Sequence, residues 1–149
     1  MSTADPYSRD VLQLAANIPH LERLAEPHGS ARKVSRLCGS EVAVDLLLDG
    51  ERVSAVGLDV SACALGQAAA SVLGANITGA DRAEIAAGLY ALNAMLTGAG
   101  EGPQGRFEAL RVLAPARSYP ARHGSIRLAL EAALAAFDDA RNNPATRLS

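Results

Sequence analysis

The sequence predicts an α+β domain, and three observations carry that prediction. Residues 41–60 alternate apolar and polar positions with a period of two on either side of Asp49-Gly50. From Cys63 onward the apolar residues recur every three and four positions, the period of a helix. Hydrophobic residues make up 49% of the chain while aromatics make up 3%, with no Trp. The core must therefore be built mostly from Ala, Leu and Val, which favours closely packed helices. At 149 residues the chain fits one domain spanning 1–149, with frayed ends expected near 1–7 and 141–149.

Taken in order, residues 8–25 carry Val11, Leu12, Leu14, Ala15, Ile18, Leu21 and Leu24 at near-helical spacing, interrupted by Pro19. The pattern predicts a broken, two-part helix. Pro27 to Ser30 reads as a turn, and Ala31 to Arg36 as a short edge strand whose basic residues protect an exposed sheet edge. In the hairpin, Val42, Val44, Leu46 and Leu48 share one face of the first arm, with Ala43 and Asp45 on the other. The returning arm places Val56, Leu58 and Val60 together, with Val53, Ala55 and Gly57 opposite. Asp49-Gly50 supplies the positive φ values of a tight turn.

Ser61 is the expected N-cap of the next helix, which puts Cys63 in the first helical turn and Leu65, Ala69, Val72, Leu73 and Ile77 on its inner stripe. Asp81 and Glu84 form a capping-box pattern ahead of Ile85, Leu89, Leu92 and Leu96. Residues 98–105 are glycine-rich but follow a helix and lack a phosphate-binding Lys-Ser/Thr, so they read as a mobile connector. Phe107, Leu110 and Leu113 predict a short helix ending near Pro115. A last helix starting after Pro120 and running to about Asp139 buries Ile126, Leu130, Ala133, Leu134 and Phe137.

Fourteen basic against sixteen acidic residues give a net charge of -2, which leaves no footprint for nucleic acid or an anionic membrane. The N-terminus lacks the basic start and apolar run of a secretory signal, no run of about 18 apolar residues suggests a span, and a cytoplasmic location is expected. Two cysteines do not make a disulfide framework; in a reducing compartment such a pair is metal-binding, reactive or simply buried. The hairpin folds Cys63 back toward Cys38, and a helix start favours a thiolate there. His20 and His28 receive no role.

The succession of helix, strand, Cys38-Gly39, hairpin, Cys63 opening an Ala/Ser-rich helix, and a last helix entered through Tyr119-Pro120-Ala121-Arg122 resembles the U-type iron-sulfur scaffold family: the NifU N-terminal domain, IscU and SufU. The resemblance covers nearly the whole chain, and the segment around 96–118 is closer to SufU than to IscU. It implies a three-stranded antiparallel sheet with helices on one side, a site of three cysteines and an aspartate, and cysteine desulfurase and iron-sulfur client proteins as partners. The family's Cys-Gly-Asp reads Cys38-Gly39-Ser40 here, so the carboxylate is missing. Cys63 matches the second cysteine, and Ala64, Leu65, Ala68, Ala69, Ala70 and Ser71 match the small-residue helix after it. Aligning Leu128-Ala129 places Ser125 at the third cysteine; a one-residue shift places Gly124 there and keeps His123.

Zn(II) or an iron-sulfur cluster takes about four donors, and this chain offers two thiols. His123 is the candidate third ligand, with Ser40, Glu41 or Ser125 as weak fourth donors. The expected function is a divergent iron-sulfur scaffold or sulfur acceptor, a carrier more than an enzyme, with Cys63 taking the sulfur and a labile metal or none held by Cys38, Cys63 and His123. The alternative is a non-catalytic interaction module that keeps the fold and has lost the cluster site. Arg122 is a surface charge or orients a sulfur donor. A Ser125-His123 catalytic pair lacks a nucleophile elbow and a third orienting group.

Overall fold

A computed structural model describes residues 5–143; of the frayed ends expected near 1–7 and 141–149, residues 1–4 and 144–149 lie outside the described residues. The element order is α1 (Arg9–Ala16), β1 (Gly29–Ser35), β2 (Ser40–Asp49), β3 (Arg52–Ser61), α2 (Ala64–Asn76), α3 (Arg82–Leu96), a 3-10 segment (Gly105–Ser118) and α4 (Pro120–Arg141). The three strands form one antiparallel sheet in the order β1-β2-β3. The hairpin closes where expected, with Asp49 paired to Arg52 and Gly50 at φ 63°.

One face of the sheet carries the core. Val42, Val44 and Leu46 are fully buried, paired with Val60, Leu58 and Val56. A bulge between Leu47 and Leu48 shifts the register so that Val53, not Ser54, stands opposite Leu48. The side chain that alternation assigns to the far face therefore joins the core, where Val53 is 2% exposed. The helices cover this face, α4 along β1 and β2 and α2 against β3 and α4. α4 comes so close at Gly29 that a Cβ there would collide with the Ala136 carbonyl, which is why this strand begins with glycine.

The other face is not left open. The two-part helix expected over 8–25 forms only in its first half. After Pro19 the chain crosses the outer sheet face without regular secondary structure, turning at His20 (φ 61°), and Leu58 N donates to His20 O at 2.9 Å. Gly57 makes room for the Glu22 carbonyl, which a side chain would displace. Leu24 N, Arg23 and the Ser30 hydroxyl all donate to Asp45, at 2.6 to 3.0 Å. Asp45 is thus fully buried, although alternation alone puts it on a polar face. Burial pushes its pKa up, but the bonds from Arg23, Ser30 and Leu24 outweigh that and hold it below the usual carboxylate range.

The capping box of α3 forms as predicted, Glu84 N donating to Asp81 Oδ1 at 2.9 Å and Asp81 N to Glu84 Oε1 at 3.3 Å. The short helix expected to stop near Pro115 instead runs through it as the 3-10 segment, burying Phe107, Leu110, Leu113 and Ala116. The Phe107 ring fills the space above Gly88. Pro120 takes the first turn of α4, where its missing N–H costs nothing. Among the described residues no helix is long and apolar enough to cross a membrane.

Candidate thiol site

Three elements meet at one end of the sheet. The turn from β1 to β2 carries Cys38, closed by Gly39 N donating to Ser35 O at 2.9 Å with Gly39 at φ 69°. β3 runs to Ser61, which cannot then cap α2; Cys63 is itself the N-cap, without a side-chain capping bond, rather than a first-turn residue. Ser125 arrives from α4. It lies inside that helix and is fully buried, so it does not cap it. Gly66 on α2 makes this possible, because a Cβ at 66 would collide with Ser125 Oγ.

Hydroxyls join the two thiols. Cys63 Sγ lies 3.4 Å from Ser125 Oγ, Ser125 donates to Ser40 Oγ at 3.0 Å, and Ser40 Oγ is 3.5 Å from Cys38 Sγ. Ser35 Oγ, 3.3 Å from Cys38 Sγ, completes the set. As a thiol Cys38 has one proton to donate, to Ser35 or to Ser40; once it is ionised, both hydroxyls can turn and donate to it. Burial pushes the Cys38 thiol up, but the bonds from Ser35, Ser40 and Ser125 win and lower it to about 7. Neither Ser35 nor Gly66 stands out in the sequence. The signal for Ser35 is its place three residues before a cysteine in a turn, opposite Ser40 in the strand register.

The structure does not bring His123 to the thiols. Its Nε2 pairs with the Ala116 carbonyl at 2.9 Å, tying the start of α4 to the end of the 3-10 segment. Glu41 points to the outer sheet face and meets Arg32 at 3.0 Å. Both positions offered for the third cysteine lie at the site, Gly124 against Ser35 and Ser125 with its Oγ 3.4 Å from Cys63 Sγ, and of the two only Ser125 brings a side chain there. Arg122 is exposed. Among the described residues no three His, Cys, Asp or Glu side chains form a group that could hold a metal ion. Two thiols and three neutral hydroxyls do not fit a cluster or zinc site that takes four thiolate or imidazole donors.

The N-terminal part of a nitrogen-fixing NifU-like protein from Brucella abortus is similar to this chain at 37% identity, with a TM-score of 0.90, over 94% of this chain and 98% of that one. The chain belongs to the NifU-like family. A putative iron-sulfur cluster assembly scaffold protein of the SUF system from Fervidobacterium islandicum shares the fold at 20% identity and a TM-score of 0.81, over 89% of this chain and 96% of that one. No family model and no curated protein matches. This NifU-like chain thus has the expected three-stranded sheet with helices.

The hydroxyl cage makes its own prediction. Alkylation of Cys38 by iodoacetamide should rise with pH through a midpoint near 7, where half the thiol is ionised. In Ser35→Ala/Ser40→Ala the midpoint should move up toward the ordinary thiol value of about 8.5. A site-resolved rate profile by mass spectrometry reads this directly; an unmoved midpoint contradicts the assignment of the shift to these hydroxyls.

Proposed function

We propose that this chain is a divergent iron-sulfur assembly protein that works as a sulfur acceptor, with Cys38 as the acceptor thiol. The observation that carries the reading is the directed hydrogen-bond chain. Ser125 donates to Ser40, which leaves Ser125 Oγ free to accept the Cys63 proton and lets Ser40 donate to an ionised Cys38. Cys38 is thereby favoured as thiolate, which moves the acceptor role from the residue the helix start suggests to the one the hydroxyls hold. Cys38 is half-buried, and Leu37 beside it is 81% exposed, an apolar contact for a docking donor.

In the step, the Cys38 thiolate attacks the outer sulfur of a donor persulfide. A new S–S bond forms on Cys38, the donor's own S–S bond breaks, the donor leaves as thiolate, and the proton stays on the transferred sulfur. A cysteine desulfurase is the donor that the family membership suggests, and iron-sulfur client pathways the destination. After incubation with a cysteine desulfurase and cysteine, Cys38→Ala should lose sulfane sulfur while Cys63→Ala keeps most of it; equal retention by both variants would contradict the assignment.

The absence of a three-donor metal group among the described residues favours a second reading, an interaction module with no sulfur chemistry. Replacing both cysteines by Ala separates the two. Unchanged partner binding and cellular phenotype would support the module, and loss of sulfur delivery would support the acceptor.

A further inference from the structure

Away from the thiols, a groove of about 820 Å³ opens along the flank of α2. Each of its two walls brings one carboxylate and one apolar side chain. α1 turns Val11 into the core and leaves Asp10 and Leu14, one helical turn apart, on the groove. The 3-10 segment buries Leu110 and Leu113 and leaves Glu108 and Val112 on the groove as the other wall. The floor is Ser71 and Ala75 from successive turns of α2, small side chains that let another backbone come close. The Ser71 hydroxyl already donates to the Asn17 carbonyl at 3.4 Å, so the floor presents no unmet polar group. Asp10 and Glu108 are exposed, and among the described residues neither has a basic partner. Asp45, Glu84 and Asp138 are by contrast held by Arg23, Arg106 and Arg82.

We propose that this groove docks an amphipathic helix of a partner protein, its apolar stripe lying on Leu14, Ala75 and Val112 and its flanking Lys or Arg residues meeting Asp10 and Glu108. Two helical walls beside a floor of small residues make a slot that a further helix fills, and the slot is open to solvent, which suits a segment of protein more than an enclosed small molecule. Charge then chooses among occupants. A carboxylate stands on each wall and no basic side chain lines the groove, so an acidic helix is repelled and a basic-flanked one attracted. A second copy of this chain, with a net charge of -2, brings no excess of positive charge. Ser71 lies about 12 Å along α2 from Cys63 at the helical rise of about 1.5 Å per residue, so an occupant leaves the thiols open to a sulfur donor. Docking needs no sulfur chemistry and stands or falls separately from sulfur acceptance.

The test uses the full-length chain and a fluorescein-labelled peptide of about 15 residues, Leu and Lys arranged as an amphipathic helix, with a Leu and Glu peptide of the same pattern as its counterpart. Fluorescence anisotropy should show saturable one-to-one binding of the Lys peptide that weakens as salt is raised, and no binding of the Glu peptide. Asp10→Lys and Glu108→Lys, on separate walls, should each weaken binding about tenfold or more, and so should Ala75→Gln, which lays a long side chain on the floor without changing charge. Glu26→Lys makes the same change of charge outside the groove and should leave binding as in wild type. All four positions are exposed, so the variants should keep the wild-type thermal unfolding. No saturable binding, equal binding of the two peptides, an equal loss in Glu26→Lys, or undiminished binding by the three groove variants would overturn the proposal. The groove variants should accept sulfur as wild type does. Docking without sulfur acceptance leaves this proposal standing and rejects the acceptor reading; the reverse result does the opposite.

Discussion

Combining Ser40→Asp with Ser125→Cys should turn a site that holds Zn(II) poorly into one that holds it tightly. The two replaced hydroxyls stand between the thiols, Ser125 Oγ 3.4 Å from Cys63 Sγ and Ser40 Oγ 3.5 Å from Cys38 Sγ. Each substitution therefore delivers a strong donor to a place already beside a sulfur. Gly66 leaves the room in which a larger thiol at 125 would lie. Completed structural zinc sites reach about 10–16 kcal/mol of apparent binding free energy at neutral pH. The double variant should approach the lower end of that range, read by competition with a chromophoric zinc chelator, while wild type stays far below it. Each single variant, with three donors, should fall between. No gain in the double variant would mean that the four positions do not converge in solution.

The second large effect concerns stability. Asp45→Asn should cost about 2–4 kcal/mol, measured by urea denaturation, because the carboxylate is fully buried and holds four hydrogen bonds. Arg23 is half-exposed and regains water when the charge is removed, which keeps the loss below that of a fully buried pair. The pH dependence has a definite sign. A carboxyl whose folded pKa lies below its unfolded value of about 3.9 stabilises fully above that value, and the benefit is lost as pH falls through the folded pKa. The gap between wild type and Asp45→Asn should thus be constant around neutral pH and narrow only in acid. The thiols should keep their relative reactivity, since Asp45 clasps the outer face of the sheet and not the site.

Local patterns were legible in the sequence; long-range partners were not. The Asp49-Gly50 hairpin and the Asp81-Glu84 capping box are each specified within a few residues, and both form as read. Asp45 looks like a solvent-facing strand residue until residues 19–24, more than twenty positions away, close over it. Its bare neighbour Gly57 and the break at Pro19 were the only hints. The Val53 face turned on a one-residue bulge, which alternation does not reveal. At the site, the two cysteines and their topology were readable from residue type and order, whereas the helical phase was not. Whether residue 124 or 125 faces the thiols depends on where α4 begins, since neighbouring positions on a helix point about 100° apart. His123 is drawn away by the Ala116 carbonyl, an acceptor offered by a segment whose 3-10 geometry the apolar spacing does not disclose.

The central claim is that the serine hydroxyls make Cys38 the reactive thiol of the pair. It is tested most directly by single-turnover sulfur transfer at pH 7 from a cysteine desulfurase to the wild-type chain, quenched and mapped by peptide mass spectrometry. The expected result is one added sulfur on the peptide containing Cys38, ahead of any on the peptide containing Cys63. Sulfur appearing first on Cys63, or on neither, would contradict it.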